Sequence, residues 1–359
     1  GTKEGLAESL RDTVEARPAE FSAMTRSFVQ LDDPYRARFL DGIRKSAEST
    51  TEIDWQAFLR GVDGLKNAVR AADQHTYSLR QVCNCIDNAV QGRTSQMPEG
   101  LLTDAVALVA TYLDDLDPAD EAGSSGDHLT RALNTMRPVA VRTLVRLARA
   151  AKLAESQGFD SSAVITAVRD ALQGRLVPRD RSLAVAAAFG ESLSLMMWID
   201  SAWVHSWLPG AATADPLGDV LVTTALTTNS TSTQLLDDLW PQIDAILDRE
   251  AEGDHVEMGW RSDRPICEVI GDHLMTLAMW GSGDPWPART TTYFDRVGNE
   301  SAASVLGQVG WRLMKTDELP SELIERAGSI WDDRQQAVDE GRADAELLAQ
   351  FYWWVHSNK

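Results

Sequence analysis

Three features of the sequence predict an all-α fold. Apolar residues recur at i, i+3, i+4 and i+7 along most of the 359 residues. Short Gly, Pro, Asp and Ser breaks separate these segments, about sixteen to eighteen in all. Period-two alternation is missing except for "TTTYF" at 290–294, the one β-rich scrap.

The elements follow in chain order. Asp32-Asp33-Pro34 opens "PYRARFLDGIRKSAES" as an N-cap with Pro in the first turn, and the same Asp-Pro start recurs at Asp117-Pro118, Asp215-Pro216 and Asp284-Pro285. In "VRTLVRLARAAKLAES" the apolar stripe is Val141, Leu144, Val145 and Ala148. "LAVAAAFGESLSLMMWID" at 183–200 is the most apolar stretch, but Gly190, Glu191 and its serines make it a buried core helix rather than a membrane span. In "SELIERAGSIWDDRQQAVDE" the stripe is Leu323, Ile324, Ala327, Ile330, Trp331 and Val338.

Short connections make successive helices antiparallel neighbours, and a chain this long exceeds one bundle. The expected architecture is a right-handed solenoid of irregular antiparallel hairpins, HEAT/TPR-like, with a degenerate period. Longer breaks fall at 116–127, 208–216, 250–264 and 281–292. The first is the expected seam, between N-terminal repeats at 1–118 and Trp-rich C-terminal repeats at 119–359 in one continuous solenoid.

Acidic residues number 54 against 34 basic, a net charge of −20, which argues against nucleic-acid and anionic-membrane partners. The one basic concentration is Arg142, Arg146, Arg149 and Lys152, whose arginines share a helix face. That face either pairs with neighbouring acids or docks an acidic partner. Three cysteines (83, 85 and 267) make no disulfide framework, and a reducing cytoplasm is expected. The start is charged from its third residue, unlike a signal peptide, and opening on Gly1 suggests a piece of a longer chain.

Motifs for chemistry are missing: no P-loop, Gly-x-Gly-x-x-Gly, Gly-x-Ser-x-Gly or His-Glu-x-x-His occurs, so no cofactor is expected. Glu268 and Asp272, four apart beside Cys267 and His273, could hold a divalent ion if another helix brought more ligands, the basis of a metal-dependent enzyme reading. Cys267 and His273 are more simply buried side chains. Gly-Asp-His occurs at 126–128, 253–255 and 271–273, and in the first two the Asp reads as a helix N-cap after a Gly break. Eleven of the twelve tryptophans lie from Trp198 onward. Trp198, Trp203 and Trp207 form a helical stripe expected in the core. Trp260 and Trp286 fall in breaks beside Arg261, Arg264 and Arg289, a composition matching protein-interface hot spots. Those five residues and the Arg142/Arg146/Arg149 face are the candidate partner contacts.

Several stretches read in order resemble a known family. "TRALNTMRPVAVRTLVRLA" resembles an Ala-Leu-Asn-Ser-x-Arg helix start at Ala132, Leu133, Asn134 and Arg137. "LMMWIDSAWVHSWLP" resembles a helix pair with an acidic residue and Trp before a Leu-Pro stop. "SIWDDRQQAV" resembles its Trp-x-x-Arg helix at Trp331 and Arg334, and "AELLAQFYWWVHSNK" a Glu-Leu-x-x-Phe-x-Trp-Trp-Phe-x-Ser-x-Lys signature, with Val355 replacing an aromatic. This family is the C-terminal helical-repeat region of bacterial antiviral defence proteins, including STAND-type NTPases of the Avs kind and relatives fused to sirtuin-like or nuclease effectors. The resemblance covers about residues 130–359. It implies a cytoplasmic sensor that recognises a phage protein, with NTPase or effector chemistry N-terminal to it and further repeats beyond Lys359. A scaffold or oligomerisation role within its own complex is the alternative.

Overall fold

The computed structural model describes residues 2–48, 52–71, 77–91, 96–118, 127–254, 256–260, 264–281, 286–316 and 318–355. Among the described residues there are helices and no strand, so the chain is all-α. Contact density divides it into two compact units, Gly1–Trp207 and Leu208–Lys359. The expected seam at 116–127 falls inside the first unit, and its residues 119–126 lie outside the described residues.

The first unit contains α1 (Lys3–Ala16), α2 (Pro18–Ala23), α3 (Thr25–Phe28), α4 (Asp33–Ser46), α5 (Trp55–Val62), α6 (Leu65–Ala71) and α7 (Tyr77–Val90). It continues with α8 (Leu102–Ala110), α9 (His128–Asn134), α10 (Met136–Ala154), α11 (Ser162–Gln173) and the start of α12 (Leu183–Ala212). Packing runs in two rows. In one, α1 meets α4, α4 meets α7 and α7 meets α10; in the other, α2 and α3 meet α5 while α8 meets α11. The stripe of α10 lands as expected: Val141, Leu144, Val145 and Ala148 are all buried.

A buried ion pair locks this unit. Arg137, in the first turn of α10, places Nε 3.1 Å from Asp180 Oδ2, and its Nη1 donates to the Asp115 carbonyl at 3.0 Å. Both side chains are nearly inaccessible, at 7% and 2% exposure, so the pair has no water to fall back on. The helix start expected at Asp117-Pro118 runs into 119–126, outside the described residues. The Asp117 carboxylate accepts from the Met136 amide at 3.1 Å and its carbonyl from the Arg137 amide, satisfying the start of α10 from nineteen residues away.

α12 is longer than the sequence suggested, and it passes a length-and-composition test for crossing a membrane. Two thirds of its most apolar window is nevertheless buried in protein, as befits a core helix. Asp200 interrupts it with extended backbone (φ −154°, ψ 83°), and its Oδ1 accepts from the Trp203 amide at 3.0 Å, capping the second half. Trp203 and Trp207 are buried beside Phe189, whereas Trp198 is half exposed, so the tryptophan stripe is only partly core.

The second unit contains α13 (Leu217–Thr228), α14 (Thr233–Glu252), α15 (Ile266–Trp280), α16 (Trp286–Arg296), α17 (Asn299–Met314), α18 (Ser321–Asp339) and α19 (Tyr352–Val355). Alternate helices pack together. α13, α15, α17 and α19 form one series, and α14 lies against α16. Ser232 caps α14, accepting from the Leu235 amide, and Gly253 ends it in the left-handed region (φ 79°). The Gly-Asp pair at 253–254 therefore marks a helix end rather than a start, while Asp127 does cap α9, accepting from the Thr130 amide at 2.8 Å.

"TTTYF" is not a strand but part of α16. Tyr293 is fully buried and donates to the Cys267 carbonyl at 2.9 Å, and Thr292 returns its hydroxyl to the Ala288 carbonyl. Tertiary burial overrides the β preference of these side chains.

Two of the four terminal aromatics are packed and two, Tyr352 and Trp353, are exposed. Phe351 and Trp354 are buried, Trp354 Nε1 donates to the Leu306 carbonyl at 2.9 Å, and the Phe351 ring meets Trp331 edge-on with centroids 5.0 Å apart. The contact needs Gly310, since a Cβ there would lie 2.8 Å from Trp354 and 2.9 Å from Trp353.

Two outcomes follow from this packing. Arg137→Ala should lower unfolding stability by about 3–5 kcal/mol by stranding Asp180, read as a lower urea midpoint. Gly310→Val should loosen the terminal segment, read as faster proteolysis after Phe351 with the rest of the chain intact.

Candidate interaction surface

The expected contact residues separate into engaged and presented ones. Arg142 Nε lies 2.8 Å from Glu191 on α12, Arg146 Nη1 lies 2.6 Å from Asp87 on α7, and Arg149 donates to the Gln91 carbonyl at 3.1 Å. This face of α10 thus holds its neighbours together, the first of the two readings of its arginines. It also stabilises a buried charge: burial pushes the Asp87 carboxyl up, and the Arg146 guanidinium beside it pulls it back.

In the second unit Arg264 takes the place that a metal would have filled. Its Nε lies 3.2 Å from Glu268 and its Nη1 2.8 Å from Asp272, so one guanidinium bridges both carboxylates. Ser304 also donates to Glu268 at 2.9 Å. Among the described residues no group of three or more His, Cys, Asp or Glu could hold a metal ion. Arg289 is likewise engaged, 2.7 Å from Asp237 and stacked 4.7 Å over the Trp240 ring. Both of its partners lie on α14.

Cys267 and His273 are both buried, as the sequence suggested. Burial pushes the Cys267 thiol up to about 11, which leaves it inert. His273 joins α15 to its neighbours. Its Nε2–H donates to the Leu226 carbonyl at 2.6 Å, so Nδ1 accepts from the Thr231 hydroxyl at 2.8 Å. Burial holds its pKa below the ordinary value.

Trp260 is presented. The Gly259 amide donates to Thr223 Oγ1 at 2.9 Å, and a Cβ at Gly259 would collide with Thr224 and the Val220 carbonyl. The backbone is thereby held to α13 while Trp260 stays 42% exposed. Trp286 stands in the first turn of α16, not in a loop; its side chain, like all of Arg261, lies outside the described residues.

Other exposed aromatics of this unit, beyond the candidate contacts, are Trp280, Trp311, Trp331, Tyr352 and Trp353. Trp280 borders a cleft of about 560 Å³ with Met279, Pro320 and Leu323, closed at one end by Arg326 donating to the Met279 and Gly281 carbonyls. Trp311 borders a second cleft of about 500 Å³ with Ser304, Gly307 and Gln350, and the Lys315 ammonium sits over its ring. A signal was available for Trp311, which Gln308 and Lys315 flank one turn away on α17 and just past its end.

Comparisons with protein-family models, with characterised proteins and with solved structures return no match.

The geometry predicts two measurements. Arg146→Ala should cost about 2–3 kcal/mol of stability by leaving Asp87 without its cation, read as a lower denaturant midpoint. For His273 the folded pKa lies below the unfolded one, so its stabilising contribution is complete above about pH 6.5 and is lost as pH falls from there. His273→Gln should flatten that part of the stability–pH curve, measured as thermal midpoint between about pH 7 and 5.

Proposed function

We propose that this chain is a protein-binding helical-repeat segment, the cytoplasmic recognition part of a bacterial antiviral defence protein that senses a phage protein and signals to an attached effector. The observation that carries the protein-binding reading is the set of tryptophans standing at the surface of the second unit. Trp260, Trp280, Trp311, Trp331 and Trp353 are all between 38% and 55% exposed in a unit of 152 residues. Monomeric surfaces seldom leave such side chains in water, and tryptophan is the residue most enriched at interface hot spots.

In the second unit alternate helices stack in series, which supports reading it as a run of HEAT-like hairpins, while the first unit stacks every third helix in a less regular version of the same plan. The defence reading rests on the resemblance in residues 130–359. Its motif positions have structural work: Arg137 is locked in an ion pair, Arg334 is fully buried over Phe294, and Trp354 is tied to α17. Residues buried in this way set the shape of a repeat, which suits a sensor whose chemistry resides in another module. For signalling, the phage protein must bind the resting and active states with different affinity.

The test is capture from phage-infected and uninfected cells. The native chain should retain a phage-encoded protein found only after infection, and Trp260→Ser/Trp280→Ser/Trp311→Ser should lose it while keeping its helical circular dichroism. Recovery of the same proteins from both cell samples would overturn the proposal. A dimer by light scattering with no infection-specific partner would favour the scaffold role.

A further inference from the structure

The last long helix of the second unit keeps an apolar face that the unit covers only in part, at Trp331, whose ring meets Phe351 edge-on. Only Arg334 and Ala337 of α18 are buried. Ile324 is 46% and Trp331 38% exposed, seven residues and two turns apart on one face. Between them stands Gly328, also exposed.

Glycine is the poorest helix former apart from proline, so a mid-helix glycine calls for a reason. At Gly42, Gly61, Gly271 and Gly310 the reason is visible, since a Cβ there would come within 3 Å of a neighbouring element, whereas Gly307 meets only the Gln350 side chain at 3.2 Å and Gly210, in the last turn of α12, meets nothing within 4 Å. At Gly328 a Cβ would meet nothing within 4 Å. Ile324, Gly328 and Trp331 therefore form two apolar knobs with a notch between them, the shape into which a helix packs a large side chain.

Charge indicates what enters it. Glu325 and Asp332 follow the two knobs by one residue each and are exposed, and Glu322, Asp339 and Glu340 lie at the two ends of the helix. The arginines of α18 do not offset them at this face: Arg334 is buried beside Asp333, and Arg326 bonds Glu322 and the end of α15. The whole unit has 26 Asp and Glu against 11 Lys and Arg. A second copy of this chain would set Glu325 and Asp332 against the same acids, a repulsive pairing.

We infer that the Ile324–Gly328–Trp331 face of α18 docks an amphipathic helix of a partner protein, with Lys and Arg flanking its apolar stripe and one large apolar side chain seated over Gly328. This rests on the protein-binding reading and narrows it to a face and a partner chemistry.

The probe is a labelled Leu/Lys amphipathic peptide of about 20 residues, with a Leu/Glu peptide of the same pattern as control. The Leu/Lys peptide should bind the native protein, more weakly as salt rises, and the Leu/Glu peptide should not. Gly328→Trp, which fills the notch, and Ile324→Lys, which removes a knob and adds like charge, should each weaken binding about ten-fold with unchanged circular dichroism. Gly328→Ala should raise the thermal midpoint by about 2–5 °C, since the helix makes no internal use of the gap. Absence of Leu/Lys binding, equal binding of the Leu/Glu peptide, equal binding to both blocking variants, or a lowered midpoint for Gly328→Ala would each overturn the inference. So would a dimer that Gly328→Trp dissociates, which would make a second copy the occupant. Retention of an infection-specific partner by Gly328→Trp would remove this face and leave the protein-binding reading standing.

Discussion

An amphipathic helix is stable in water only where something covers its apolar stripe, and in this chain the cover comes from a helix further along. In the first unit it lies three places on, from α1 to α4 to α7 to α10. In the second it lies two places on, from α13 to α15 to α17 to α19. Local helix preference is too weak to hold segments of this length, so each helix depends on the next in its series. Cover is not uniform in the second unit. α18 buries two residues of nineteen, and the short α19 covers α17 with the Trp354 ring.

Arginine fixes how these helices are turned. Arg137, Arg146 and Arg249 each reach an acid on a different segment, at Asp180, Asp87 and Asp219. Those carboxylates have side-chain exposures of 2%, 7% and 3%. Such acids are tolerated inside only with the cation in place, so a helix rotated by one residue would strand them. The pairs need not add net stability to define orientation; the penalty for the wrong arrangement is sufficient.

The helical class was legible because its signal is local. The stripe of α10 can be read from four residues, and all four are buried. Tertiary partners were not legible: Arg146 and Asp87 are 59 residues apart, and Arg264 lies just outside the helix whose two carboxylates it bridges. Without that arginine in view, Glu268 and Asp272 look like metal ligands. The threonines and aromatics of α16 favour a strand locally, and the burial of Tyr293 against the Cys267 carbonyl holds them in a helix instead. The stripe of α18 was read correctly as apolar, yet period alone does not say whether a stripe is covered, and here it is half in water.

The uneven placement of tryptophan gives the molecule a built-in optical asymmetry. Trp55 is the one indole before residue 198, so ultraviolet emission near the red edge of absorption originates almost wholly in the later part of the chain. Eight of the twelve lie in the second unit, so emission weighs that unit most heavily, while the first unit speaks through Trp55, Trp203 and Trp207, which its helices bury. A spectroscopist following brightness alone would see one unit far better than the other, whereas amide circular dichroism would count the helices of both.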